Sequence, residues 1–225
     1  MRLSIVIPVL NEAAAIGGAL EPLMPLRARG TEVIVVDGGS TDATLDLARP
    51  LADRVLDAPR GRAAQMNAGA GVANGDVLLF LHADTRLPDH ADELVRDALA
   101  LRPRVWGRFD VTFDGGALPL VAAGMNLRSQ LTGIATGDQA MFVTREAFAS
   151  AGGFPQIALM EDVALSARLK RLSPPACLRA RVTTSPRRWH THGTLRTVLM
   201  MWRLRLAFFL GADPAKLARA YGYGD

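Results

Sequence analysis

The sequence predicts an α/β protein built on one open, mostly parallel, twisted sheet flanked by helices, with a basic helical tail. Three observations predict it. Residues 3–9, 33–37 and 77–81 are continuous runs rich in Val, Ile and Leu, the pattern of parallel strands covered on both faces. Helical patterns lie between them, so the connections are right-handed crossovers. The runs lead into polar residues, Asn11, Asp37 and Asp84, at the carboxyl ends, where open α/β sheets hold their ligands.

Each element has a local reason. A helix over 12–29 follows Asn11 as its N-cap, one over 41–52 follows Ser40, and one over 62–73 follows Gly61. Residues 106–113 alternate as a strand, 119–131 read as a helix, and 140–143 as a short strand. The helix begun at Glu161 is broken by Pro174-Pro175. A basic amphipathic helix covers about 194–210, and Asp213-Pro214 opens a last one that ends near Tyr221. No repeat, low-complexity tract or linker divides the chain. Residues 1–190 are expected to form one domain, with 191–225 as helices packed on it.

With 225 residues, 49% of them apolar, the chain can bury a full core. Its charge is uneven. Residues 1–100 hold 9 cations and 14 acids, whereas from Arg168 onward there are 12 cations and only two acids, Asp213 and Asp225. The last quarter therefore faces something anionic: a diphosphate, a phospholipid surface or nucleic acid. Nucleic acid is set aside, because no base-reading motif or aromatic stacking platform appears. Cys177 is the only cysteine, so no intrachain disulfide forms and a reducing, cytoplasmic location is expected. The N-terminal apolar run is too short for a signal peptide. The stretch nearest to a membrane span, 195–210, contains Arg196, Arg203 and Arg205 and does not span. Its Leu/Met/Phe stripe, with Trp202, Phe208 and Phe209, is expected as core or homodimer interface ahead of peripheral membrane contact.

Five strings carry the chemistry: IVIPVLNEA (5–13), VVDGGSTD (35–42), GRAAQMNAG (61–69), LFLHADT (79–85) and MEDVALSARL (160–169). Asp37, at a strand end, can accept from the N–H of a uracil or guanine edge; it can equally bond the turn of Gly38-Gly39. Gly61-Arg62 at a helix start joins backbone N–H groups to a guanidinium, which suits phosphate oxygens. Asp84 can hold a divalent ion that bridges two phosphates, and His82 either ligates or packs beneath the site. Glu161 and Asp162 lie about 100° apart on a helix start, so one faces the crevice while the other caps or bonds backbone. Asp162 is the choice for the crevice.

In this order the strings resemble family-2 inverting glycosyltransferases of the GT-A fold, a Rossmann-like sheet, over about residues 1–190. HADTRLP and SPRRWHTHG further resemble a short soluble branch associated with arsenosugar biosynthesis. The resemblance implies a nucleotide-diphosphate sugar as donor, with UDP favoured, and an acceptor hydroxyl of unknown identity. It implies Pro8, Asn11, Glu12, Asp37, Gly61, Arg62, Asn67, His82 and Ala83 around the nucleotide, Asp84 on Mn²⁺ or Mg²⁺, and Asp162, with Glu161 and Asp138, in catalysis. The usual D-x-D reads His82-Ala83-Asp84 here, so its first acid is missing; His190 or His192 would then supply a second metal ligand. Arg187 and Arg188 are expected on the diphosphate. The loop before Gly137-Asp138-Gln139 is expected to border the acceptor.

Competing classes lack their motifs. No G-x-G-x-x-G follows the first strand and no G-x-x-x-x-G-K-[ST] occurs, which excludes a dinucleotide-binding dehydrogenase and a P-loop NTPase. A sugar-1-phosphate nucleotidyltransferase, or a catalytically silent nucleotide-sugar binder, are the alternatives.

Overall fold

The structure, a computed structural model, describes residues 1–100, 104–116 and 118–222. Its frame is an eight-stranded sheet. In chain order the elements are β1 (Leu3–Val9), α1 (Ile16–Leu20), α2 (Met24–Ala28), β2 (Glu32–Asp37), α3 (Thr44–Ala48), β3 (Arg54–Asp57), α4 (Arg62–Val72), β4 (Val77–Phe80), β5 (Thr85–Arg86) and α5 (Ala91–Ala100). There follow β6 (Trp106–Phe113), α6 (Pro119–Thr132), β7 (Phe142–Thr144), α7 (Arg145–Ser150), α8 (Glu161–Leu169), β8 (Ala176–Thr184), α9 (Arg187–His192), α10 (Thr194–Phe209) and α11 (Pro214–Tyr221).

Strand order is β3-β2-β1-β4-β7-β6-β8-β5. The first four strands are parallel, β7 runs antiparallel to both β4 and β6, β8 runs parallel to β6, and β5 pairs antiparallel with β8. The sheet is thus mixed, and its parallel character is concentrated in the N-terminal half. The chain travels outward from β1 to β2 and β3, then returns to the other side of β1 for β4. That reversal is a topological switch point, which opens a crevice beyond the carboxyl ends of β1 and β4.

The unbroken apolar runs bury both faces. Ile5, Ile7, Val33, Val35 and Leu79 pack under Ile16, Leu20, Leu26, Val95 and Leu99. Val6, Ile34, Val36, Leu78 and Phe80 face the other way, toward Met66, Ala70, Phe148, Phe154 and Leu165. Helix α4 lies so close to the sheet that a Cβ on Gly69 would strike Val6 and Val36. Gln65, one turn earlier, donates from Nε2 to the Val9 and Val36 carbonyls, both at 2.8 Å, which locks the ends of β1 and β2 together below the crevice.

Several elements depart from the sequence expectation. The helix expected over 12–29 is three short pieces, because Pro22 and Pro25 cannot supply the ladder N–H. Asn11 is not its cap: it sits at φ 54°, and its Oδ1 accepts from the Thr41 N–H at 2.8 Å. The helix expected over 41–52 shrinks to α3, since Asp42 Oδ1 accepts from the Thr44 N–H and Pro50 stops the next turn. β3, α5 and β8 carry no expectation at all. β3 is a four-residue edge strand, and β8 hides its alternation behind Arg179 and Arg181.

Glu32 joins three of these elements. It is 3% exposed, and it accepts from the Ser4 hydroxyl (2.6 Å), the Asn74 N–H (2.8 Å) and the Asn74 amide (2.9 Å), with Arg54 at 3.4 Å. Burial pushes its pKa up, but the Asn74 N–H, the Ser4 hydroxyl and Arg54 together outweigh that, so the carboxyl titrates below the ordinary 4.5. A depressed folded-state pKa contributes stability above about pH 4.5 that is lost as pH falls through the folded value. Glu32→Gln is therefore expected to cost about 1–3 kcal/mol at neutral pH, a deficit that shrinks in acid. Denaturant melts of both proteins across pH check this; an unchanged deficit at low pH would show the charge to be irrelevant.

Candidate active site

The crevice gathers side chains from four distant strings. Gly61, at φ 134°, turns the chain into α4, a conformation that glycine adopts without a Cβ penalty. Arg62 then reaches across, its Nε 3.0 Å from Oε1 of Glu161 at the start of α8. Glu161 is 3% exposed, and burial raises its pKa against the pull of Arg62. Two small clefts meet at this acid. One is lined by Phe80, His82, Gly137, Phe154, Glu161 and Asp162, and the other, about 500 Å³ and open to solvent, by the Arg60–Ala64 turn, Gln156–Ala158 and Glu161.

Asp162 faces the first cleft but is held by backbone. Its Oδ2 accepts from the Gly137 N–H and its Oδ1 from the Val163 N–H, both at 2.7 Å. Each carboxylate oxygen keeps a second lone pair, so the anion is oriented without being used up. Gly137 is glycine because the His82 imidazole lies where a Cβ would stand. His82 Nδ1 is 3.4 Å from Oδ1 of Asp138. Burial lowers the His82 pKa, but Asp138 and then Asp84 pull it up, and the net result lies above the ordinary 6.5.

Asp84 follows β4 and precedes β5. Thr85 Oγ1 donates to its Oδ1 at 3.3 Å, the one side-chain hydrogen bond of this carboxylate among the described residues. Its carbonyl accepts from the Ser185 N–H (3.2 Å), which brings the end of β8 alongside. From there Trp189 packs edge-on against Phe113, with centroids 5.6 Å apart, and Arg187 extends to Glu12, Nη2 to Oε2 3.9 Å. Burial raises the Glu12 pKa, Arg187 lowers it, and Asp84 raises it again, so the three share one electrostatic neighbourhood. The string SPRRWHTHG thus folds back on the first and fourth strings.

Other expected residues are engaged by neighbouring backbone or packing. Asp37 bonds its own turn: Gly39 N–H at 2.9 Å and Ser40 N–H at 2.8 Å donate to Oδ2, and the Ser40 hydroxyl to Oδ1. Asn67 pairs both amide atoms with the backbone of Phe154, at 2.8 and 3.0 Å. It thereby fixes the backbone of Phe154, which lines the first cleft. Ala83 belongs to the core, and Pro8 is buried in β1 opposite Val36. Asn11 links the loops after β1 and β2, accepting from Thr41 and donating its N–H to the Ser40 hydroxyl at 2.8 Å. The side chains of Arg188, His190 and His192 lie outside the described residues.

Two contributors were assigned no role from the sequence. Gln65, inside the string GRAAQMNAG, is one. The other is Arg128 on α6, whose Nε and Nη2 are buried with no partner among the described residues. Burial lowers its pKa, and Asp162 is the largest opposing influence, followed after Arg108 by Asp138. In sequence both look like ordinary solvated helix residues.

Among the described residues no cluster of three His, Cys, Asp or Glu side chains is arranged to hold a metal. Asp84 still fits a hard divalent ion of the kind that takes one or two protein carboxylates and completes its shell with phosphate and water.

The fold is a mixed α/β sheet with a crevice of acids and arginines at its switch point. The family model of Glycosyl transferase family 2 matches residues 4–144, and the chain belongs to that family. A PGL/p-HBAD biosynthesis glycosyltransferase of Mycobacterium bovis is 41% identical over 102 residues, 42% of this chain and 40% of the relative, so the match spans well under half of that protein. Among solved structures, S. aureus TarS 1–349 in complex with UDP-GlcNAc shares the fold: TM-score 0.68, 18% identity, 82% of this chain and 58% of that one. Glucosyl-3-phosphoglycerate synthase of Mycobacterium tuberculosis, in complex with Mn²⁺, UDP and glucosyl-3-phosphoglycerate, is similar at TM-score 0.58 and 25% identity over 81% and 70%.

Proposed function

We propose that this glycosyltransferase moves a sugar from a nucleotide-diphosphate donor, UDP-linked by preference, to an acceptor hydroxyl with inversion. What carries the reading is the meeting of His82, Glu161 and Asp162 at one cleft, with Arg62 paired to Glu161, Asp138 to His82, and Arg187 to Glu12. An acceptor hydroxyl is a weak nucleophile at neutral pH. Asp162 takes its proton as the oxygen bonds to the anomeric carbon from the face opposite the diphosphate. The bond from that carbon to the diphosphate breaks, and nucleoside diphosphate leaves with the electron pair. Arg62 and Arg187 meet the growing charge, which stabilises the transition state beyond the ground state. Glu161 positions Arg62, and Asp138 orients His82.

A divalent ion, Mn²⁺ or Mg²⁺, held by Asp84 would add charge on the diphosphate oxygens. Arg188 is proposed on the diphosphate and His190 or His192 as second metal ligand, on their place beside Arg187 in α9. Asn11, Glu12 and Gly61 are proposed around the nucleotide, with Asp37 on its base once the Ser40 turn gives way. The chain's one cysteine supports a cytoplasmic enzyme.

Incubation with a panel of nucleotide sugars and Mn²⁺ tests the reaction class. Release of nucleoside diphosphate is the expected product. Pyrophosphate would mean nucleotidyl transfer, and a donor-induced thermal shift with no product would mean a silent binder.

A further inference from the structure

We propose that the outward face of α10 is a docking surface for an anionic lipid bilayer, on which the helix lies flat. The sequence expectation placed the apolar stripe of this helix in a core or dimer interface. The structure divides it between two faces. Thr197, Leu204 and, partly buried, Met200, Ala207 and Phe208 turn inward; the apolar ones pack on Leu159, Met160, Val163 and Leu217. Leu195, Leu199, Trp202, Leu206 and Phe209 point the other way, each between 57% and 72% exposed. Their spacing of four, three, four and three residues makes one straight stripe. At about 100° per residue the stripe is centred roughly 170–180° from the inward set and runs about 21 Å. A large exposed apolar patch of this kind marks an interaction site.

Charge selects the occupant. On the same wheel Arg196 and Arg203, both exposed, lie about 90° to one side of the stripe and line that flank with guanidinium groups, whereas Arg205, about 80° to the other side, is half-buried with its Nε out of solvent. No acid occurs anywhere from residue 194 to 209. A second copy packed antiparallel on this stripe would set Arg196 and Arg203 against the same two residues of its partner, with no acid on either helix to offset them. An anionic bilayer satisfies both features, taking Leu, Trp and Phe into its acyl boundary and the arginines at its phosphates. Among the described residues no helix is long and apolar enough to cross a membrane, which leaves lying along it. Helix α10 is fastened through Leu159, Met160 and Val163 to the segment that carries Glu161 and Asp162, so the docked face and the cleft belong to one packed unit.

Flotation of the full chain with phosphatidylcholine vesicles, with and without phosphatidylglycerol, tests this, alongside light scattering of the free protein. Association with the anionic vesicles alone is expected, with release by salt as the arginine contacts are screened. Trp202→Ser with Phe209→Ser should weaken partitioning about ten-fold or more. Arg196→Gln with Arg203→Gln should weaken it on anionic vesicles while leaving the melting temperature unchanged. Failure to float with anionic vesicles, or flotation unaltered in both double variants, overturns the proposal. So does a protein that is dimeric in solution and becomes monomeric in the Trp202→Ser, Phe209→Ser variant without ever binding vesicles. Donor hydrolysis assayed without lipid reports on the crevice separately, so loss of one property leaves the other readable.

Discussion

Asp162→Asn is expected to lower sugar transfer by about 10²-fold or more while the donor binds as before. The amide keeps the size of the carboxylate, and its one oxygen can still accept from the Gly137 or the Val163 N–H, while the other N–H loses its acceptor; a thermal melt of the variant checks that the start of α8 stays folded. What is lost is the atom that accepts the acceptor's proton. Glu161→Gln should behave differently. That side chain holds Arg62 at 3.0 Å, and releasing the guanidinium should raise KM for the donor more than it lowers kcat. Steady-state kinetics on the two variants separate the roles. If the kcat loss falls on Glu161→Gln and spares Asp162→Asn, the base has been assigned to the wrong member of the pair.

Asp84→Ala is expected to abolish the Mn²⁺-dependent part of nucleoside diphosphate binding and, with it, nearly all turnover. A single carboxylate bears the metal on this reading, and no second acid of a D-x-D stands behind it, because position 82 is histidine. The fold should survive, since the only side-chain bond lost among the described residues is the one from Thr85 Oγ1 at 3.3 Å. Thermal shift with UDP, with and without Mn²⁺, reads the effect: wild type should gain stability from the metal, and the variant should not. Equal metal-dependent shifts in both would remove Asp84 from the site. His190→Ala and His192→Ala belong in the same series, and one of them should weaken the metal effect.

Much of the crevice was readable because parallel strands announce themselves. Runs such as IVIPV and VLLF have to be buried on both faces, and the residues that follow them have to lie at the carboxyl edge of the sheet; this places Asn11, Asp37 and Asp84 from the letters alone. Gly61-Arg62 and Glu161-Asp162 were readable as helix starts for the same kind of local reason. The limits were also physical. β8 pairs with β6 through a ladder whose partners are some 70 residues apart, and its two arginines mask its period. The breaks at Pro22 and Pro25 were visible in the letters, but their consequence, three short helical pieces over Ile5 and Ile7, depends on how those pieces pack.

Sequence by itself determined the sheet's parallel half, the edge where the site lies and the residue types available there, since these follow from local periodicity and strand-end geometry. Tertiary structure alone decided the pairings: Arg62 with Glu161, His82 with Asp138, Arg187 with Glu12, Asn67 with Phe154 and Asp37 with its own turn. It also decided which face of α10 is inside. A charged side chain has several partners within reach of its string, and a helix with apolar residues on two opposite faces has no inside of its own. Only the packing of distant segments removes that degeneracy.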